Sequence, residues 1–280
     1  LTESDKDYAV VGLIPIDAAG MTFIYGRQSC DMRAMEKGDI DQGNAQYGGQ
    51  ETFVVFDNVF IPHEHVLMDG EYEFAQLMVS RFTAYHRASY VCKTGLGDVL
   101  TGAAAQIAEY NGAEKASHIK DKLVEITHLN ETIYSSAIAS SHEAKQLDSG
   151  IFMNDEMLAN VCKHNVTRFP YEISRLTQDL AGGLMVTMPS EADFEHEKAG
   201  PMLKKYLKGK DDVPVEFRQR ILRLIENMTL GRNAVGYLTE SLHGAGSPQA
   251  QRIQIARQMD VERKKGYARD LAGIIATDAD

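Results

Sequence analysis

The chain has 280 residues, 44% apolar and 25% charged, and its 40 acidic residues against 29 basic ones leave a net charge of −11. That length suffices for one large domain or two ordinary ones, and the acidic balance argues against nucleic acid or an anionic membrane surface as a partner. No run of about 18 or more apolar residues indicates a spanning helix, and no secretory leader opens the chain, so the expected location is cytoplasmic.

The chain starts at Leu1 with no initiator Met and reaches a strand-like run within a few residues. This reads as a fragment or one half of a longer polypeptide. Residues 1–70 read as β and loop. Tyr8–Ile16, Met21–Tyr25 and Glu51–Phe56 are apolar runs of strand length, the last followed by the turn-forming Asp57 and Asn58. The glycine-rich Gly43–Gly49 is a loop between them.

From about residue 71 helical periodicity replaces the strand signals, and none is expected beyond. Ile119, Leu123, Ile126, Leu129 and Ile133 recur at spacings of three and four within an expected helix over 114–146. Further helices are expected over Asn154–Gly183, kinked at Pro170, over Pro214–Thr239 with Pro214 in its first turn, and over Pro248–Leu271. Long helices with short connections imply a bundle. The expected architecture is mainly α with a β-rich N-terminal part.

Three widely spaced cysteines, Cys30, Cys92 and Cys162, make no disulfide framework. On a helix turning about 100° per residue, Tyr90 lies near 40° and Lys93 near 340° from His86, so these three share a face, while Cys92 falls near 240°. An imidazole, a phenol and an ammonium on one stripe suit proton transfer and oxyanion stabilisation, although ordinary packing with a solvated Lys93 gives the same spacing. Glu51 opens an apolar strand, where burial would raise a carboxylate pKa. Glu240 sits near a helix end, where a carboxylate meets an unfavourable dipole. Two glycine-rich turns, Gln178–Gly183 and His243–Pro248, follow helices; they read as C-caps or as close approaches to a phosphate.

These segments also carry a resemblance. Glu51–Pro62 is similar to the strand-and-loop signature of the acyl-CoA dehydrogenase superfamily, including its aromatic hydroxylase branch. Tyr25–Cys30, His128–Thr132, Asn165–Glu172, Ala181–Ser190 and Thr239–Gln251 resemble the 4-hydroxybutyryl-CoA dehydratase family along the whole chain. The resemblance implies an acyl-CoA dehydrogenase-like fold. Residues 1–70 would be part of a middle β-barrel domain and residues 71–280 a C-terminal helical bundle, with the family's N-terminal helical domain absent. It also implies a homotetrameric enzyme of which this chain alone is incomplete, needing the N-terminal portion of the same enzyme.

The implied reaction is dehydration of 4-hydroxybutyryl-CoA to crotonyl-CoA, with vinylacetyl-CoA Δ-isomerase activity. Flavin radical chemistry on FAD drives it, and a [4Fe–4S] cluster held by three Cys and one His serves as Lewis acid. Matched position by position, the His ligand falls on His86 and the third Cys ligand on Cys92, with two further Cys expected in the missing region. Catalytic positions fall on His86, Glu240, Glu51, Tyr90 and Lys93. The FAD contact falls on Gln178, Gly182 and Gly183, and Gly244 and Gly246 are assigned to cofactor binding as well. The family's two ligands lie seven residues apart and these lie six, so either the helix has a break or π-bulge near Tyr90 or cluster binding is impaired in this chain. A flavin-dependent hydroxylase of the 4-hydroxyphenylacetate type is the rival; it has no cluster, and its members lack the His–Cys pair. An inactive or scaffolding C-terminal half is the non-enzyme alternative.

Overall fold

The computed structural model describes residues 1–25 and 52–274. A 3₁₀ turn over Glu3–Tyr8 takes in Tyr8 of the expected Tyr8–Ile16 strand, and of the rest only Val10–Gly12 is strand, β1. β2 (Met21–Tyr25) and β3 (Thr52–Phe56) pair antiparallel with Met21 opposite Phe56 and Tyr25 opposite Thr52. β4 (Val66–Asp69) pairs with β1 across an irregularity at Val11/Gly12. A further hairpin, β5 (Lys145–Gln146) and β6 (Phe152–Met153), lies inside the helical part where no strand was expected. Its turn around Gly150 takes a left-handed φ of 84°, which glycine allows without a Cβ penalty.

The helices are α1 (Ala75–Ser89), α2 (Lys93–Tyr110), α3 (Ser117–His142), α4 (Glu156–Val166), α5 (Phe169–Ala181), and the short α6 (Leu184–Thr187), α7 (Glu191–Glu195) and α8 (Ala199–Tyr206). Beyond them come α9 (Val215–Thr229), α10 (Arg232–Ala234), a π-helical turn (Val235–Thr239), α11 (Glu240–His243), α12 (Pro248–Gln258) and α13 (Val261–Leu271). Three expected helices are therefore divided. Pro170 lies in the first turn of α5, where its missing N–H costs nothing, so the chain breaks before it instead of kinking at it. Pro214 is the N-cap of α9 and not a residue of its first turn, and α9 stops at Leu230–Gly231. The last segment splits at Asp260, which adopts a left-handed φ of 40° and caps α13 by accepting from the Arg263 amide at 3.2 Å.

The periodic residues of α3 behave as their spacing predicts. Ile119, Ile126, Leu129 and Ile133 are buried, and Leu123 packs beside them. With Leu100 and Ala104 of α2, Ile173 and Leu176 of α5, and Met228 of α9, all of these but Ile133 form the main core. Each fully buried Leu or Ile contributes about 1.5–3 kcal/mol. A second cluster packs Tyr90 with Ile133, Ala137, Cys162 and Val166, and it joins this core to the segment between α1 and α2.

Candidate functional site

α1 does not run straight into α2. Tyr90–Cys92 forms a 3₁₀ turn between them. The Ser89 hydroxyl donates to the His86 carbonyl at 2.7 Å and Thr94 to the Val91 carbonyl at 2.7 Å, side-chain competition of the kind that bends helices. Residues three apart eclipse in a 3₁₀ turn, so Tyr90 and Lys93 project along one line.

Both reach Glu240. The Tyr90 hydroxyl donates to Glu240 Oε1 at 2.5 Å, and Lys93 Nζ lies 2.6 Å from Oε2. Lys93 also donates to the Gly236 carbonyl at 2.9 Å, and its side chain is only 12% exposed, so it is not a solvated surface lysine. Glu240 follows directly on the π-helical turn, whose wider ring is closed by the Glu240 amide donating to the Val235 carbonyl. Burial raises the carboxyl pKa of Glu240. The hydrogen bonds from Lys93 and Tyr90 and the charges of Lys93 and Lys163 outweigh it and hold the group below the usual carboxylate range. Glu240 is thus an ionised, half-enclosed carboxylate touching a phenol and an ammonium.

Gly244 makes this approach possible. A Cβ there would stand 1.8 Å from the Tyr90 hydroxyl oxygen and 2.7 Å from Glu240 Oε1. Gly246, with φ of 101°, lies beside Arg87 and accepts from Gln251 Nε2 at 2.9 Å. Arg87 is buried; its Nε donates to the Ala245 carbonyl at 3.0 Å and Nη1 to Asn160 Oδ1 at 2.7 Å, which ties the glycine turn to α1 and α4.

Lys163 of α4 is a site residue that the sequence reading did not single out. It is fully buried, donates to the Ser241 carbonyl, and its Nζ lies 4.3 Å from the centroid of the Tyr90 ring. Burial pushes its pKa down to about 8, partly countered by Glu240. A signal existed: Ala159, Cys162, Lys163 and Val166 sit at i, i+3, i+4 and i+7, all buried, so the lysine occupies an apolar stripe. Its neighbour Cys162 is a structural thiol, pushed up to about 12 by burial.

His86 is half-buried, its ring 5.6 Å from that of Tyr90, and its Nδ1 is buried without a hydrogen-bond partner. It lines an open groove of about 390 Å³ with Phe82, Tyr85 and Ser89. Cys92 is exposed. Two 3₁₀ steps of about 120° bring Cys92 from roughly 120° to roughly 80° away from His86, so the expected irregularity exists, and it is a tightened turn and not a π-bulge. Among the described residues no group of three or more His, Cys, Asp or Glu stands ready to hold a metal ion. His86 and Cys92 fit as two donors of a larger set, one with an unclaimed nitrogen and one with an open thiol. Glu51 and Cys30 lie outside the described residues.

The Gln178–Gly183 turn is separate from this cluster. It closes the far end of α5, roughly 18 Å along the helix from Phe169 by helical rise. Gly182 adopts φ of 78°, and open space surrounds the Cα of both Gly182 and Gly183. The exposed backbone there suits contact with a molecule from outside the chain.

The family description "4-hydroxyphenylacetate 3-hydroxylase C terminal" matches residues 75–273, and its N-terminal counterpart matches residues 1–68. The chain belongs to the 4-hydroxyphenylacetate 3-hydroxylase family. Within that family it is 58% identical over 98% of its length to the 4-hydroxybutyryl-CoA dehydratase/vinylacetyl-CoA Δ-isomerase of Clostridium aminobutyricum, covering 58% of that protein. An oxygen-tolerant archaeal 4-hydroxybutyryl-CoA dehydratase from N. maritimus is 70% identical with a TM-score of 0.95, over all of this chain and 56% of that one. The chain thus spans under two thirds of these relatives.

Family members named as hydroxylases are more distant. The oxygenase component from Thermus thermophilus is 25% identical over 82% of this chain and 47% of that protein. The oxygenase component of 4-hydroxyphenylacetate 3-monooxygenase complexed with FAD is 24% identical, with a TM-score of 0.84 over 97% of this chain and 57% of that one. Butyryl-CoA dehydrogenase from Megasphaera elsdenii, 13% identical with a TM-score of 0.50, covers 89% of this chain and 51% of its own; the fold is acyl-CoA dehydrogenase-like, as expected. No helix among the described residues is long and apolar enough to cross a membrane.

Proposed function

We propose that the intact enzyme carrying this chain dehydrates 4-hydroxybutyryl-CoA to crotonyl-CoA and isomerises vinylacetyl-CoA, using FAD and a [4Fe–4S] cluster. The reading is supported by the 58% and 70% identities to proteins so named. The observation that carries it on this chain is the carboxylate of Glu240 gripped by Tyr90 and Lys93.

Such a carboxylate is ionised at neutral pH and accepts a proton, and the phenol beside it carries that proton onward. Glu240 is accordingly the acid/base shuttle. Tyr90 and Lys93 stabilise negative charge on the leaving oxygen or support the outer shell of the iron. His86, with its unclaimed Nδ1, is assigned to cluster ligation and, once displaced from that role, to acceptance of the C2 proton, and Cys92 to ligation. Glu51 is assigned to positioning the substrate hydroxyl. When bound, the flavin supplies reversible one-electron oxidation and the cluster a Lewis acid for the departing hydroxyl. The open groove at His86 offers apolar wall to the acyl chain.

The FAD adenine and pyrophosphate are assigned to Gln178, Gly182 and Gly183 across a subunit interface of a homotetramer, and Gly244 and Gly246 to cofactor binding as well. Residues 1–70 are read as part of the middle β domain and 71–280 as the helical bundle. The two remaining Cys ligands are placed in the N-terminal portion.

The test is Glu240→Gln in the full-length holoenzyme. Both activities are expected to fall by about 10²–10⁴-fold with flavin and iron content unchanged. Rates near the parent value for both would overturn the shuttle assignment. Iron–sulfur absorbance beyond that of flavin separates this enzyme from a hydroxylase.

A further inference from the structure

Two lysines approach the Tyr90–Glu240 pair. Lys93 holds Glu240 from the α2 side. Lys163 is fully buried in α4, a helix anchored to α1 by the Arg87–Asn160 hydrogen bond. Its ammonium contacts the Tyr90 ring and, at the same time, the backbone next to Glu240. It lies 4.3 Å from the Tyr90 ring centroid, and it donates to the carbonyl of Ser241, the residue after Glu240.

A merely structural role does not account for a lysine here. An ammonium has three donors to satisfy, and taking it out of water is costly unless they are met. An apolar side chain of similar length in the stripe of Ala159, Cys162 and Val166 would fill the volume without that cost. What Met cannot do is bind a ring face and a carbonyl together, fixing the phenol relative to the turn that carries its hydrogen-bond partner.

We propose that Lys163 is a positioning residue, holding Tyr90 and the Glu240 turn in register for proton transfer and acting through those two side chains. This rests on the reading of Glu240 as the proton shuttle. Displacements of about 1 Å in such a pair cost up to about 100-fold in rate.

The test uses the full-length holoenzyme with Lys163→Met and Lys163→Gln, alone and combined with Glu240→Gln. The expected result for Lys163→Met is a loss of kcat of about 10–100-fold, KM within about twofold, and a melting temperature equal to or above the parent. Lys163→Gln keeps a donor for the Ser241 carbonyl and should recover part of the rate. In the Glu240→Gln background, Lys163→Met should cost almost nothing further, since the pair it positions is already disabled. The proposal is overturned if kcat stays within twofold of the parent, or if the same fold loss persists beside Glu240→Gln. It is also overturned if the lost activity of both variants merely tracks a lost folded fraction by circular dichroism. Parent-like rates in Glu240→Gln alone would instead sink the shuttle reading, and the two failures are thereby distinguished.

Discussion

Two departures from α-helical regularity meet at Glu240, and they deviate in opposite senses. The Tyr90–Cys92 turn is tightened to 3₁₀ geometry, while Val235–Thr239 is widened to a π turn. Tightening aligns residues three apart, which sends Tyr90 and Lys93 to the same carboxylate. Widening leaves the Gly236 carbonyl free to accept from Lys93 at 2.9 Å and from the Ser241 hydroxyl at 3.3 Å. One irregularity aims side chains and the other supplies a backbone acceptor.

The sharpest way to break this arrangement is to fill the space between the two turns. Gly244→Ala places a methyl 1.8 Å from the Tyr90 hydroxyl oxygen, so the Tyr90–Glu240 bond cannot form. A loss of about 100-fold in kcat is expected, and a much smaller further loss when the change is made on Tyr90→Phe. Equal losses in both backgrounds would show that the glycine serves something other than the phenol.

Next in size is the pH dependence of stability on the Lys163 side. Its pKa falls from 10.5 to about 8 on folding. Below about 8 the lysine is charged in both states and its burial cost is fully present. Between about 8 and 10.5 the unfolded chain binds more protons than the folded one, so this residue makes stability rise with pH. Denaturant melts of Lys163→Met across that window should show a shallower rise than the parent, and parallel curves would contradict the burial.

The Glu240 side titrates at the other end of the scale. Its folded pKa lies below the ordinary value of 4.5, so its ionised form adds stability that is present above 4.5 and is lost as pH falls through the lower folded value. Glu240→Gln should remove that part of acid unfolding, read by circular dichroism against pH.

The smallest effect is expected away from both turns. Gly182→Ala forces a Cβ into φ of 78° with open space around it, costing about 1 kcal/mol and lowering Tm by about 2–4 °C. Activity at saturating FAD should be retained while FAD affinity falls, as measured by flavin titration of the apoenzyme. Unchanged affinity would detach this turn from the cofactor.

Much of the fold was legible because burial imposes periodicity. The α3 stripe predicted its buried residues, and the change of character near residue 71 anticipated α1 at Ala75. Helix ends were less so. Pro170 and Pro214 mark boundaries, but whether a proline kinks a helix or begins one depends on what the flanking residues pack against. The β5–β6 hairpin escaped notice because two-residue strands carry no alternation to read.

The sequence by itself determined that His86, Tyr90 and Lys93 share a stripe and that Glu240 stands near a helix end, because helical rotation is fixed by backbone sterics. Only the tertiary structure decided that the stripe and the helix end meet and that Gly244 clears the space between them. It alone also placed the charged Lys163 inside the apolar core beneath Tyr90. These contacts join residues distant in the chain, 150 positions apart for Tyr90 and Glu240, and spacing along a chain carries no information about which faces the packing of a bundle will bring together.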